Sequence, residues 1–435
     1  MNQFSKALSR GLARVTEAAL GPYQSAVIRI GFAGTWLFFL LREFPHRQEL
    51  YGPVGPWGWN MGRQLIMDNH AFTALMWSSG QLWFECFYLF AVLAGAALLL
   101  GWRTRTASVL FMVGVLSLQN RSVFVGDGGD NVLHLMAIYL VFTRCGQVWS
   151  LDARRRASAD RIPADRIPAD RTAADGRAAP DPAVTGQSTP GLALPDRTPT
   201  DWTGLILWTL LGIALVTVTA AGLLFDNSWL IPVLLWAAWA GLGLWWLVQR
   251  LARTAEPRIL LDVIANVLHN GALVVIMAEA CLIYATAGWY KIQGSRWQDG
   301  TAVYYPLHLD YFSPWPALAD LMSASGTMLM IAAYGTVIVQ VAFPFTLLNR
   351  RVKNVLLVFV MLEHFVIAVV LGLPFFSLAM ITADAVFLPT SFLRRLGALA
   401  ARARGRFVKD GGADGTVPAP RSPEDSTPGR VGFTA

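Results

Sequence analysis

Residues 259–284 read ILLDVIANVLHNGALVVIMAEACLIY, and this stretch decides the fold. It contains no proline, and its few polar side chains are scattered among Leu, Ile, Val and Ala. As an α-helix it would cover about 39 Å, more than the roughly 30 Å of a bilayer's hydrocarbon core. Outward from it, comparable runs recur along the chain. The expected spans are Val27–Leu41, Leu82–Leu100, Ala107–Leu118, Val132–Thr143, Trp202–Leu224, Trp229–Val248, Ile259–Tyr284, Met328–Leu348, Val355–Leu371 and Phe375–Leu388. Hydrophobic residues make up 54% of the 435, charged residues 14%, and the mean hydropathy is +0.45. A soluble globular chain carries about 25% charge. The reading is an all-α membrane protein, a polytopic bundle of about ten transmembrane helices.

The charges between the runs carry topology. Lys6, Arg10 and Arg14 precede the first span; Arg103 and Arg105 follow the second; Arg144 and Arg154–Arg156 follow the fourth. Arg250, Arg253 and Arg258 follow the sixth, Arg350, Arg351 and Lys353 the eighth, and Arg394, Arg395 and Arg402 the tenth. Every second connection is basic, as the positive-inside rule requires of ten spans that start in the cytoplasm. The expectation is a multi-pass protein of the cell (plasma) membrane with both termini cytoplasmic. The net charge of +7 is explained by these loops, and nucleic-acid binding is set aside on that ground. Cys86, Cys145 and Cys281 lie far apart, without disulfide or metal-type spacing.

Five segments follow. Residues 1–22 are a basic, mildly amphipathic segment that would stay at the cytoplasmic surface, with no signal-peptide cleavage pattern. Residues 23–150 hold spans one to four and 201–397 spans five to ten. Between them, 151–200 repeats Arg-Ile-Pro-Ala-Asp within a Pro-, Ala- and Asp-rich run and reads as a disordered cytoplasmic linker. Residues 398–435 read as a basic and then disordered tail.

Ionisable residues inside or at the rim of spans are costly and therefore informative. Between spans three and four, Gln119, Asn120 and Arg121 precede Asp127, Asp130, Asn131 and His134. Asp130 and His134 share a helix face. These residues either hold a cation or cap a helix and complement its dipole. On span seven, Asp262, Asn266 and His269 form one stripe, either a polar seam between helices or a site. At the end of the same helix, Lys291 is bracketed by Tyr284, Trp289, Tyr290 and Trp297, with Gly288 three residues earlier to admit a neighbouring backbone. An interfacial anchor is one reading of Lys291. The other is a desolvated amine that serves as a base. In span nine Glu363 and His364 are adjacent, followed by Gly372, Pro374, Ser377 and Asp384.

The Gly288-x-x-Lys291-x(5)-Trp297 block, the Glu363-His364 helix with Phe376, Ser377 and Asp384 after it, and the exit at Trp149-Ser150-Leu151-Asp152 resemble the HTTM (horizontally transferred transmembrane) family. Its members are bacterial membrane relatives of vitamin K-dependent gamma-carboxylase. The resemblance runs from about Tyr23 to Leu396, the linker excluded. It implies that Lys291 is the base that deprotonates a reduced quinone, on the way to a quinone epoxide. His364 and His134 join it as catalytic residues, and Asp130, Asn131, Trp289, Tyr290 and Trp297 bind the substrate. Gamma-carboxylase has a second lysine where Tyr290 stands, an Asn-His pair where this chain has Asp130-Asn131, and a large lumenal domain after its helices. Only about 45 residues follow the last span here. The leading expectation is therefore a quinol-dependent, epoxidase- or carboxylase-like oxidoreductase, with a menaquinol-like reduced quinone and no metal. The competing expectation is a non-catalytic accessory protein in the maturation or export of a secreted peptide. A transporter is third, without visible symmetry between halves.

Overall fold

A computed structural model describes residues 3–159, 202–223, 229–251 and 256–410. Twelve main helices organise them: α1 Gln3–Glu17, α2 Pro22–Glu43, α3 Gln81–Leu100, α4 Thr104–Arg121, α5 Gly128–Val141, α6 Trp202–Ala220, α7 Leu230–Leu251, α8 Glu256–Gln293, α9 Gly326–Ala342, α10 Arg350–Val370, α11 Pro374–Asp384 and α12 Thr390–Asp410. Shorter helical turns fill the connections, and no strand occurs among the described residues. The all-α membrane class holds.

The count of ten spans is not confirmed. Among the described residues, seven helices are long and apolar enough to cross a bilayer: those built on α2, α3, α6, α7, α8, α9 and α10. The count reaches eight if Pro374–Phe387 and Thr390–Ala403 are taken together as one. The three expected spans that fail singly are Ala107–Leu118, Val132–Thr143 and Phe375–Leu388. They lie in α4, with Arg105, Gln119, Asn120 and Arg121 inside its 18 residues, in α5, 14 residues long, and in α11, 11 residues long. Fourteen residues rise only about 21 Å. All three are enclosed by other helices: α4 packs between α3 and α5, and α11 packs on α2, α5 and α10. A helix wrapped by protein needs less apolar surface than one wrapped by lipid.

The first half is locked by one buried arginine. Arg29, on α2 and fully buried, donates from Nη1 to the Leu98 and Leu99 carbonyls (2.6 and 2.7 Å). Its Nη2 donates to the Trp149 carbonyl (2.7 Å) and its Nε to that of Cys145 (3.2 Å). Leu98 and Leu99 are in the last turn of α3, where carbonyls lack the usual helical partners, though that of Leu98 also accepts from Gly101 N at 3.0 Å. Nearby, Asp152 caps α4 from a distant part of the chain. Its carboxylate accepts from the Arg103 and Thr104 backbone N–H groups, both at 2.8 Å. Residues 151–159, read from sequence as the start of the linker, are therefore helical, since Asp152 is anchored there. The rest of the linker and residues 411–435 lie outside the described residues.

The hairpin of α6 and α7 is built differently. Trp208 and Trp239 stack at 4.3 Å and exchange hydrogen bonds, each indole N–H donating to the other residue's carbonyl at 3.0 Å. Most of its remaining apolar surface faces outward. From Pro389 to Asp410 the described residues belong to a second compact unit, the single arginine-bearing helix α12. The tail expected from residue 398 thus begins inside a helix.

Candidate functional site

Tyr284, Gly288 and Lys291 are spaced four and three apart, so they line one stripe of α8. That stripe faces α9, and Gly288 makes the approach possible. A Cβ at this position would sit 2.6 Å from Val341 Cγ2 and 3.3 Å from the Val341 backbone nitrogen. The close approach brings Lys291 Nζ to Gln340 Oε1 of α9 at 2.8 Å. Gln340 Nε2 in turn donates to Glu363 Oε1 of α10 at 2.6 Å. The carboxamide thus separates amine and carboxylate, and Lys291 forms no ion pair among the described residues. Trp297 places its ring 5.2 Å from Nζ. Trp289 and Tyr290, 60% and 73% exposed, sit on the outer surface of the same turn.

One residue further along α10, about 100° around the helix, His364 turns the other way. Tyr284, His364 and Asp384 are all buried and form a chain. The Tyr284 hydroxyl donates to Asp384 Oδ2 (2.8 Å) and lies 3.0 Å from His364 Nε2. The single hydroxyl hydrogen goes to the carboxylate, so Nε2–H donates to the phenol oxygen and Nδ1 carries the lone pair. His364 Nδ1, Asp384 Oδ1 and the buried Ser377 Oγ have no hydrogen-bond partner among the described residues. Buried polar atoms are overwhelmingly paired, so three unpartnered ones within one pair of adjacent helices make this a candidate site.

The residues before α5 form a separate group. Asp127 is the N-cap of α5, accepting from Gly129 N at 2.7 Å, and Asp130 Oδ2 accepts from Asp127 N at 2.7 Å, completing a capping box. Of the two readings left open for these aspartates, capping is realised. Gln119 Nε2 donates to the Asp130 carbonyl and to Oδ1 (3.1 and 3.2 Å), and Gln119 Oε1 meets His134 Nδ1 at 3.1 Å. Asp130, Asn131 and His134 line a cavity of about 640 Å³, whose lining does not include Lys291 or His364. Phe376 of α11 intervenes: its ring is 5.4 Å from that of His364, and its backbone lies against Gly129 at the start of α5. The eight site residues inferred from sequence therefore fall into two groups, not one.

The stripe Asp262, Asn266 and His269 is a seam. Asn266 Nδ2 donates to the Thr16 carbonyl, and Asn270 Nδ2 to those of Val15 and Ala18, all at 2.9 Å, satisfying the end of α1. His269 Nδ1 accepts from Arg144 N (2.9 Å) while its Nε2 faces the Leu20 carbonyl (2.8 Å), and Arg144 pairs with Asp262 at 3.1 Å. Gln340 is the residue that the sequence reading missed. Its signal was present, as the single carboxamide in the apolar Met328–Leu348 run.

The fold and these clusters define an all-α polytopic membrane protein with a polar centre among α8, α9, α10 and α11. Comparison of the chain with known family models, with curated proteins and with solved structures found no match.

Proposed function

We propose that this is an HTTM-type membrane oxidoreductase, a relative of vitamin K-dependent gamma-carboxylase, in which Lys291 acts as a base on a lipophilic quinol. The observation that carries the reading is the setting of Lys291: a half-buried lysine with no carboxylate against it, held by the carbonyl oxygen of Gln340. Donating one N–H to Gln340 leaves the lone pair of an uncharged amine free to take a hydroxyl proton. An interfacial anchor would need no such partner. Trp289, Tyr290 and Trp297 flank the amine with aromatic surface, which suits a planar ring arriving sideways from the lipid. Gln340 and Glu363 orient the amine, while His364, held by Tyr284 and Asp384, shapes the neighbouring helix face and is a positioning residue. The balanced reaction is quinol plus dioxygen giving quinone epoxide plus water. In this reading the N-terminus and α1 are cytoplasmic and the Lys291 end of α8 is on the outer side of the cell membrane, which the basic connections support.

The test is incubation of the purified chain in nanodiscs with a menaquinol and oxygen. Epoxide that disappears with Lys291→Ala, at unchanged helix content, is the expected result. No epoxide above that formed by empty nanodiscs would overturn the reading.

A further inference from the structure

The cavity beside α5 contains a chemistry that the Lys291 centre does not use. Its lining includes two carboxylates, Asp127 and Asp130, and two aromatic residues, Phe39 and Tyr51, but no lysine or arginine. The polar groups there are set as acceptors. Gln119 spends its Nε2 hydrogens on Asp130, which turns Oε1 toward His134 Nδ1. Nδ1 therefore carries the proton, and the lone pair of His134 is on Nε2. Asn120 donates its Nδ2 to the Phe72 carbonyl (2.7 Å), so its Oδ1 remains as an acceptor. Tyr51 is the clearest sign of a ligand. It is 3% exposed, lines the cavity, and its hydroxyl makes no hydrogen bond among the described residues. Two arginines stand outside its lining: Arg121 donates from Nη2 to the Gly52 and Trp57 carbonyls (2.9 and 2.7 Å), and Arg42 lines a neighbouring cavity of about 130 Å³, where its Nε is bonded to Glu43 at 2.6 Å and its guanidinium lies 4.5 Å from the Phe375 ring.

A cavity whose lining offers acceptors, carboxylates and aromatic faces selects a cation that can donate hydrogen bonds. Among the described residues no group of three or more His, Cys, Asp or Glu is placed to hold a metal. The volume is that of a small-molecule site rather than of a bare ion. We propose that this cavity binds an organic primary ammonium ion, with Asp130 supplying charge and Tyr51 and His134 accepting its N–H groups. The proposal stands apart from the Lys291 reading, because the two sets of residues lie on opposite sides of Phe376.

Equilibrium dialysis of the full chain in nanodiscs against radiolabelled butylamine tests it. Saturable binding is expected, displaced by unlabelled butylamine and not by butyrate. Tyr51→Phe removes only a hydroxyl that bonds nothing in the protein, so the fold is kept and affinity should fall about tenfold. His134→Phe should weaken binding in the same direction, while Lys291→Ala leaves it unchanged. Absence of saturable binding, equal displacement by butyrate, or wild-type affinity in Tyr51→Phe would each overturn the proposal.

Discussion

Two buried polar centres of this protein look alike in sequence and differ in their bonding. Around Arg29 every guanidinium nitrogen is matched to a backbone carbonyl, and those carbonyls belong to helix ends and turns that need donors. Around Tyr284, His364 and Asp384 the side chains bond to one another, and three polar atoms nearby are left over. The first pattern is what a chain does to close a structure in which backbone groups cannot reach water. The second leaves acceptors unspent inside the fold, which folding alone would select against. A buried charge is thus uninformative until its partners are counted.

The sharpest way to break this comparison is at Arg29. Arg29→Met should strand three carbonyls, those of Leu99, Cys145 and Trp149, since that of Leu98 also accepts from Gly101 N, and cost about 3 kcal/mol or more, seen as loss of monodisperse protein or a large fall in thermal midpoint. Normal folding would show that the lock is dispensable. Next in size is Gly288→Leu. The added side chain meets Val341 and must push α9 away from α8, costing about 1–3 kcal/mol, and the Lys291–Gln340 bond should be lost with it. A wild-type thermal midpoint would mean that the helices are not pressed together there.

Tyr284→Phe should behave in the opposite way to Arg29→Met. The hydroxyl it removes is the one hydrogen-bond partner of the buried Asp384 among the described residues, so the cost should be about 1–3 kcal/mol, with the folded protein retained, while quinol turnover falls. Unfolding on the scale of Arg29→Met would make the Tyr284 centre a second lock. The smallest effect is expected at Trp208→Ala. It opens the Trp208–Trp239 clasp of the outward-facing α6–α7 hairpin, so turnover should not change, and protease sensitivity should rise only between 202 and 251. Loss of turnover would tie the hairpin to the site.

How much of this was legible follows from where each residue sits. The seven long helices were readable because lipid contact demands apolar side chains all round, and α3 or α8 cannot hide that. The shortness of α5 and α11 was not. Enclosure by α2, α4 and α10 is a tertiary fact, and their apolar runs read the same as those of full spans. Lys291 and His364 were visible as costly residues within apolar runs. Their separation from Asp130, Asn131 and His134 was not, since it depends on Phe376 coming between helices far apart in sequence. The Asp262–Asn266–His269 stripe shows the converse limit: correct spacing for a site, and carbonyls of α1 as its partners.

The central claim is that Lys291 works as a base and not as a positive charge. Lys291→Arg in nanodiscs, assayed for menaquinol epoxidation beside the wild type, tests it most directly. Arginine keeps the charge and the donors, and it does not deprotonate in this pH range. The account predicts wild-type epoxide formation and, in the folded arginine variant, a fall to the level of empty nanodiscs. Full activity with arginine at position 291 would contradict it and return the residue to an interfacial anchor.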